Sequence, residues 1–180
     1  MKGGSAVEVV PYDPEWPRLF EVERERLRRA LGPWLEGGIQ HVGSTAVPGL
    51  SAKPVLDMLA GVIDLEAARA AFAPLAELGY ESTPHRPQTH HFSWPEGAAA
   101  SAVRHNLHLA EVRGDLWRER LAFRDALRAD AALAAEYQAL KLRLARRPDS
   151  DIEAYTLDKR SFVARVLAGA EIEIPPTSPR

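Results

Sequence analysis

The residues with most chemistry in them lie between positions 41 and 58, HVGSTAVPGLSAKPVLDM. Gly43 and Ser44 close an apolar run, a second glycine follows at Gly49, and Lys53 precedes another apolar run that carries one carboxylate, Asp57. These residue types suit phosphate. Glycine lets backbone approach a ligand closely, and amides together with the hydroxyls of Ser44 and Thr45 donate to phosphate oxygens. Lys53 neutralises those oxygens, and a carboxylate on an adjacent strand can hold a hard divalent ion. The spacing is neither a P-loop nor a dinucleotide fingerprint: Gly43 and Gly49 are six apart, no Lys-Ser or Lys-Thr follows, and GxGxxG is absent. A plainer reading competes, in which the glycines merely turn the chain and Lys53 pairs with Asp57. Asp57 itself resists that reading, because a carboxylate in an apolar strand needs a partner.

The surrounding pattern says what must position these groups. Asp13 before Pro14 predicts a helix start, and Trp16, Leu19, Phe20, Leu27, Ala30 and Leu31 share one helical face until Gly32 and Pro33 end it. Residues 38–43 and 54–62 read as strands. Asp64 caps a helix reaching Leu78, kinked at Pro74. Short strands follow at 79–83, 89–94 and 104–112, with a small-residue loop at 95–102. Leu116, Trp117, Leu121 and Leu127 suit one later helix. Leu133, Tyr137, Leu140 and Leu144 stripe a second. Ser150 and Glu153 form a capping box that opens a third, bearing Tyr155, Phe162, Val163 and Val166. The order α-β-β-α-β-β-β-α-α-α predicts an α+β fold, a mixed sheet with flanking helices and a C-terminal helical bundle. The expected divisions are a core at 1–112, a helical subdomain at 113–168 packed on it, and a flexible tail at 169–180.

The run HVGSTAVPGLSAKPVLDML resembles the signature of the GrpB-like proteins, an uncharacterised family similar to the polymerase-β-type nucleotidyltransferases. The resemblance extends over residues 7–167, through EVVPYDPEW at 8–16, HNLH at 105–108, Phe123 to Asp125, Tyr137 to Lys141, and DIEAYTLDK at 151–159. It implies a nucleotidyltransferase-like sheet on which Gly43 and Ser44 form the phosphate turn and Asp57 is the second of two acids. The first would fall at Val55, which binds no metal. The third would lie in 104–112, where alternation puts Asn106, His108 and Ala110 on one face and His105, Leu107, Leu109 and Glu111 on the other. Asp57, His41 and His108 are therefore the expected metal set, and Asp57, Ser44 and His108 the expected catalytic set. The implied cofactor is a divalent metal, magnesium or manganese, although a His/Asp set also suits Zn²⁺ or Fe²⁺. In such folds a helical part completes the cleft, which makes Lys141 and Lys159 phosphate contacts beside Gly43, Ser44, Thr45 and Lys53.

Composition narrows the classes of function. The 180 residues contain no cysteine, which removes thiol catalysis, disulfides and zinc fingers. A net charge of -2 and the lack of a basic patch interleaved with aromatics disfavour nucleic acid. No apolar stretch is long enough to cross a membrane, and the polar N-terminus lacks a secretory pattern, so a cytoplasmic location is expected. Two functions remain. One is a metal-dependent enzyme binding a nucleotide or other phosphorylated small molecule and carrying out nucleotidyl or phosphoryl transfer. The other is a non-catalytic module for nucleotides or CoA precursors, since GrpB-like domains resembling this one occur fused to dephospho-CoA kinase and hint at a CoA-pathway partner.

Overall fold

The computed structural model describes residues 9–84, 87–94, 103–145 and 152–169, with side chains in the last stretch from Lys159 onward. The expected loop at 95–102, the Ser150 cap, the Tyr155 side chain and the tail beyond 169 lie outside the described residues. Helix α1 spans Trp16–Leu31. Asp13 caps the turn that precedes it, its Oδ1 accepting the Glu15 amide at 2.9 Å. Pro17, not Pro14, sits in the first helical turn, where a missing N–H costs nothing.

A short 3₁₀ turn leads into β1 (Leu35–Val42), followed by β2 (Val55–Val62). The single kinked helix expected from Asp64 is instead a 3₁₀ stretch at Ala67–Ala71 running into α2 (Phe72–Glu77). Pro74 falls in the first turn of α2, so it opens that helix rather than bending a longer one. Strands β3 (Glu81–Thr83), β4 (His90–Trp94) and β5 (Arg104–Glu111) precede α3 (Asp115–Ala129), α4 (Ala131–Ala145) and α5 (Ile152–Gly169). Asp130 caps α4, its Oδ1 accepting the amides of Ala132 at 2.8 Å and Leu133 at 3.0 Å.

The five strands form one mixed sheet in the order β1-β2-β5-β4-β3. Only the β2–β5 pair is parallel. Alternation sends Leu56, Met58, Leu107, Leu109 and Phe92 to one face, where they pack with Trp16, Phe20, Leu27 and Leu31 of α1 and Leu75 of α2. Each large apolar side chain buried there contributes about 1.5–3 kcal/mol. The other face is thinner in apolar groups. Val42, Leu59 and Ala110 meet Leu116, Trp117 and Leu121 of α3. Trp117 enters a notch made by two glycines: a Cβ on Gly37 would sit 2.6 Å from its ring, and one on Gly61 2.9 Å. A third cluster joins Val47 and Leu50, from the loop between β1 and β2, to Leu127, Tyr137, Leu140, Leu144, Phe162 and Val166. Within it Tyr137 stacks on Phe162 and meets Phe123 edge-on, with ring centroids 5.2 Å apart in both pairs. The C-terminal helices thereby clamp the loop that carries Ser44 and Lys53.

Candidate functional site

β1 ends at Val42, directly opposite Asp57 of β2, and Asp57 is in turn opposite Asn106 of β5. Partners in register share a face, so Asp57 and Asn106 meet: the Asn106 amide nitrogen donates to Asp57 Oδ1 at 2.9 Å. Gly43 follows with φ +73°, and its α-carbon is pressed against the same carboxylate. A Cβ there would lie 2.4 Å from Asp57 Oδ2, so only glycine fits. Ser44 begins a one-turn 3₁₀ segment and is hydrogen-bonded to the Tyr137 hydroxyl of α4. Burial pushes that phenol up to about 12, keeping it protonated across ordinary pH.

Helix α4 grips the returning loop at one residue. Gln138 Oε1 accepts the Ser51 amide at 2.7 Å, and Lys141 Nζ donates to the Ser51 carbonyl at 2.6 Å. Lys141 Nζ also lies 5.0 Å from the Tyr137 ring centroid, over its face. Burial and the nearby charge of Lys159 bring the Lys141 ammonium down to about 8. Lys53 sits at the solvent-facing rim. Partial loss of hydration, then Lys159 and Arg104, push its ammonium below the ordinary lysine value, against the pull of Asp57. Arg104 begins β5 opposite Val55. Arg120 of α3 comes within electrostatic reach of His91 and Tyr137, as does Asp57.

Most of the sequence-derived residues are therefore neighbours where the sheet end meets the helices: Gly43, Ser44, Lys53, Asp57, Lys141 and Lys159. His108 shares the Asp57 face but sits deeper, buried, its ring 4.6 Å from His91, whose Nδ1 is bonded to Thr83 Oγ1. His41 does not join them. It neighbours Val42 on an antiparallel strand, so alternation turns it to the opposite face, where it stacks on Phe20 at 4.7 Å. The expected Asp57–His41–His108 metal set is thus split between the two faces. Thr45 is buried, and its hydroxyl donates to the Val55 carbonyl at 2.9 Å. That leaves His41 Nε2–H as the donor to Thr45 Oγ1 at 3.0 Å. Thr45 and His41 staple the loop from behind and do not reach the cleft. Among the described residues, no group of three or more His, Asp or Glu side chains is placed to hold a metal.

Sequence reasoning missed Asn106, Arg104 and Arg120. Alternation had placed Asn106 beside His108, but only the parallel register of β2 and β5 shows which of the two meets Asp57.

His41 carries a testable pH signature. Burial, with Arg128 and Arg124 adding to it, lowers its imidazole from 6.5 to about 4. The unfolded chain then binds more protons in that window, so stability is expected to fall as the pH drops from 6.5 toward about 4. His91 and His105, both lowered chiefly by burial, act in the same direction. Urea titrations of wild type and His41→Gln across this range check the assignment. The variant should lose less stability in acid, and parallel curves would remove His41 from the explanation.

Known proteins share this fold. A "UPF0157 protein" of Deinococcus radiodurans is 38% identical over 91% of this chain and 82% of its own length. A protein of Mycolicibacterium paratuberculosis named dephospho-CoA kinase is 33% identical over 87% of this chain, which spans only 44% of that longer protein. The crystal structure of conserved protein GrpB from Enterococcus faecalis superposes with TM-score 0.77 at 27% identity, over 91% of this chain and 99% of the other. The Cid1 poly(U) polymerase, solved with magnesium and 3′-dATP bound, superposes with TM-score 0.54 at 16% identity, over 79% of this chain and 45% of the enzyme. At that identity the likeness is one of fold: the sheet with its flanking helices is nucleotidyltransferase-like. The family model described as GrpB protein matches residues 6–168, a span that holds the sheet, the Gly43–Ser44 turn and the helices that close over it, and the chain belongs to the GrpB family.

Proposed function

We propose that this chain binds a nucleotide or another phosphorylated small molecule in the cleft between the sheet end and the C-terminal helices. The observation that supports this most is the convergence of charge: Lys53, Arg104, Arg120, Lys141 and Lys159 gather around the Ser44–Tyr137 pair and the single carboxylate of Asp57. Ammonium and guanidinium groups in such a site make charge-assisted bonds to phosphate oxygens. Arg104 and Arg120 offer planar forks, while Lys141 offers a point charge held in place by Ser51. Asp57 is the one carboxylate among them, and in this reading it would take a proton from a ligand hydroxyl on the lone pairs that Asn106 leaves open, the role a phosphoryl-transfer site would need. The helical part, residues 113–168, acts in this reading as the closing half of the site.

A CoA-type ligand is the second reading, favoured by the relative named dephospho-CoA kinase. Both readings are tested by thermal unfolding with ATP, dephospho-CoA and CoA. A ligand at 100 times its Kd adds about 2.7 kcal/mol, which for a chain of this size raises Tm by about 5–10 °C. Lys141→Met is expected to remove most of that rise. Because Lys141 is protonated below about 8 and neutral above it, affinity should be weaker at about pH 9.5 than at about pH 7. The same panel at both pH values checks the sign. No rise with any of the three ligands would overturn the proposal.

A further inference from the structure

The magnesium-bound fold neighbour and the side chains of this cleft disagree about how phosphate charge is met. Two-metal phosphoryl transfer relies on carboxylates that share two dications about 3.5–4 Å apart. Here the strand position two before Asp57 is Val55, and the residue opposite Val55 is Arg104. The place where a second carboxylate would help Asp57 hold an ion is occupied by an alkyl group facing a guanidinium. Asp57 Oδ1 already accepts the Asn106 amide at 2.9 Å, and Gly43 packs so close to Oδ2 that a Cβ on it would lie 2.4 Å away. His91 and His108 lie ring against ring, tilted by 43°, further along the sheet. This donor set does not fit a two-metal centre.

We infer that the phosphate groups of the ligand are neutralised by the protein's own cations, so that a polyphosphate anion binds in this cleft without a divalent metal. The inference rests on the cleft being the phosphate site. Its geometry comes from five parts of the chain: Lys53 before β2, Arg104 on β5, Arg120 on α3, Lys141 on α4 and Lys159 on α5. Lys141 is anchored at 2.6 Å to a carbonyl of the very loop that presents Ser44, so its ammonium cannot swing away from the turn. The cations also repel one another. Lys159 depresses both Lys53 and Lys141, and Arg104 depresses Lys53. An arriving polyphosphate relieves that repulsion, whereas an arriving dication adds to it. A free triphosphate, more negative than its magnesium complex, is therefore the better matched ligand.

The test is isothermal titration of the full chain with ATP and with inorganic tripolyphosphate, once in EDTA and once in excess Mg²⁺. The expected result is binding in EDTA that is as tight as, or up to about tenfold tighter than, in Mg²⁺, and that weakens steeply with added salt as screening predicts. Asp57→Asn separates the schemes. Removing a negative charge from a cationic cleft should strengthen binding in EDTA, while a metal-bridged ligand would lose its anchor. Arg104→Gln, a change at an exposed position, should weaken binding in EDTA by about tenfold or more. Binding that requires Mg²⁺, or is lost in a folded Asp57→Asn, would overturn this inference and leave the phosphate reading intact. No binding of either probe under either condition would overturn both.

Discussion

Gly43→Ala is expected to lower the stability of the chain by about 2–6 kcal/mol. Two separate costs add at this position. The backbone sits at φ +73° and ψ -170°, a region essentially reserved for glycine, where another residue costs about 1–3 kcal/mol. The new methyl would then lie 2.4 Å from Asp57 Oδ2 and 3.0 Å from Asp57 Cβ. The carboxylate cannot swing aside freely, because Asn106 holds it from the β5 side. Forcing atoms into such a filled space costs about 1–3 kcal/mol more. Urea unfolding of the two proteins measures the sum. A loss below about 1 kcal/mol would mean that the turn and the carboxylate are far softer than their geometry implies. Gly43→Ala combined with Asp57→Ala divides the loss. The steric part should disappear in the double variant and the backbone part remain.

The second large effect is expected on the opposite face of the sheet. Glu23→Ala should destabilise by about 3 kcal/mol. Glu23 is an α1 residue only 3% exposed, and its two oxygens are engaged on different partners. Oε2 accepts Arg26 Nη1 at 2.7 Å, and Oε1 accepts the Tyr80 hydroxyl at 2.9 Å. The same hydroxyl lies 3.3 Å from His105 Nδ1, and the His105 ring stacks on Trp94 at 4.8 Å. Truncating Glu23 leaves the buried Tyr80 hydroxyl with only its longer, 3.3 Å contact to His105 Nδ1, and a polar group stripped of its better partner costs more than the bond was worth. Arg26, being 41% exposed, can turn toward water, which limits the loss. Replacing both ends together, Glu23→Met with Tyr80→Phe, should recover part of the stability, since an apolar pair of similar volume leaves neither carboxylate nor hydroxyl unmet and costs only the His105 Nδ1 contact. Chemical unfolding of the two variants reads the coupling directly. Equal losses in both would show that Glu23 acts through packing alone.

These two positions also show why a single sequence discloses some of this molecule and hides the rest. The order of helices and strands was legible because each element carries its own period, and Tyr137, Leu140 and Leu144 lie buried as the helical stripe requires. Gly43, Ser44 and Asp57 could be put forward together because glycine, hydroxyl and carboxylate types suit phosphate chemistry, and Lys141 because the family resemblance implied that helices complete the site. What could not be read is register. The HNLH segment belongs to two different structures: Asn106 and His108 share the Asp57 face of the sheet, while His105 faces the Glu23 network. Some forty intervening residues separate β2 from β5, and nothing local in either strand reports that Asp57 stands beside Asn106 or Val55 beside Arg104. His41 went to the wrong face for the same reason. Its distance from Asp57 along the chain is fixed, but the parity of the β1–β2 pairing decides whether the two can meet.

The notch that receives Trp117 has a further consequence, for how this family can vary. Gly37 and Gly61 lack side chains where the indole enters, and α3 is indexed on the sheet by that insertion as a key is by its ward. Arg120 lies one turn beyond Trp117, and Arg124 and Arg128, which bond to the His41 and Ala46 carbonyls, continue the same stripe. The position of an arginine in the cleft is thereby set by a contact away from it. The three residues should drift through evolution as a unit. A lineage that trades the indole for a smaller side chain gains freedom to place methyl-bearing residues at both strand positions, and in doing so lets the helix slide and the cleft change its shape.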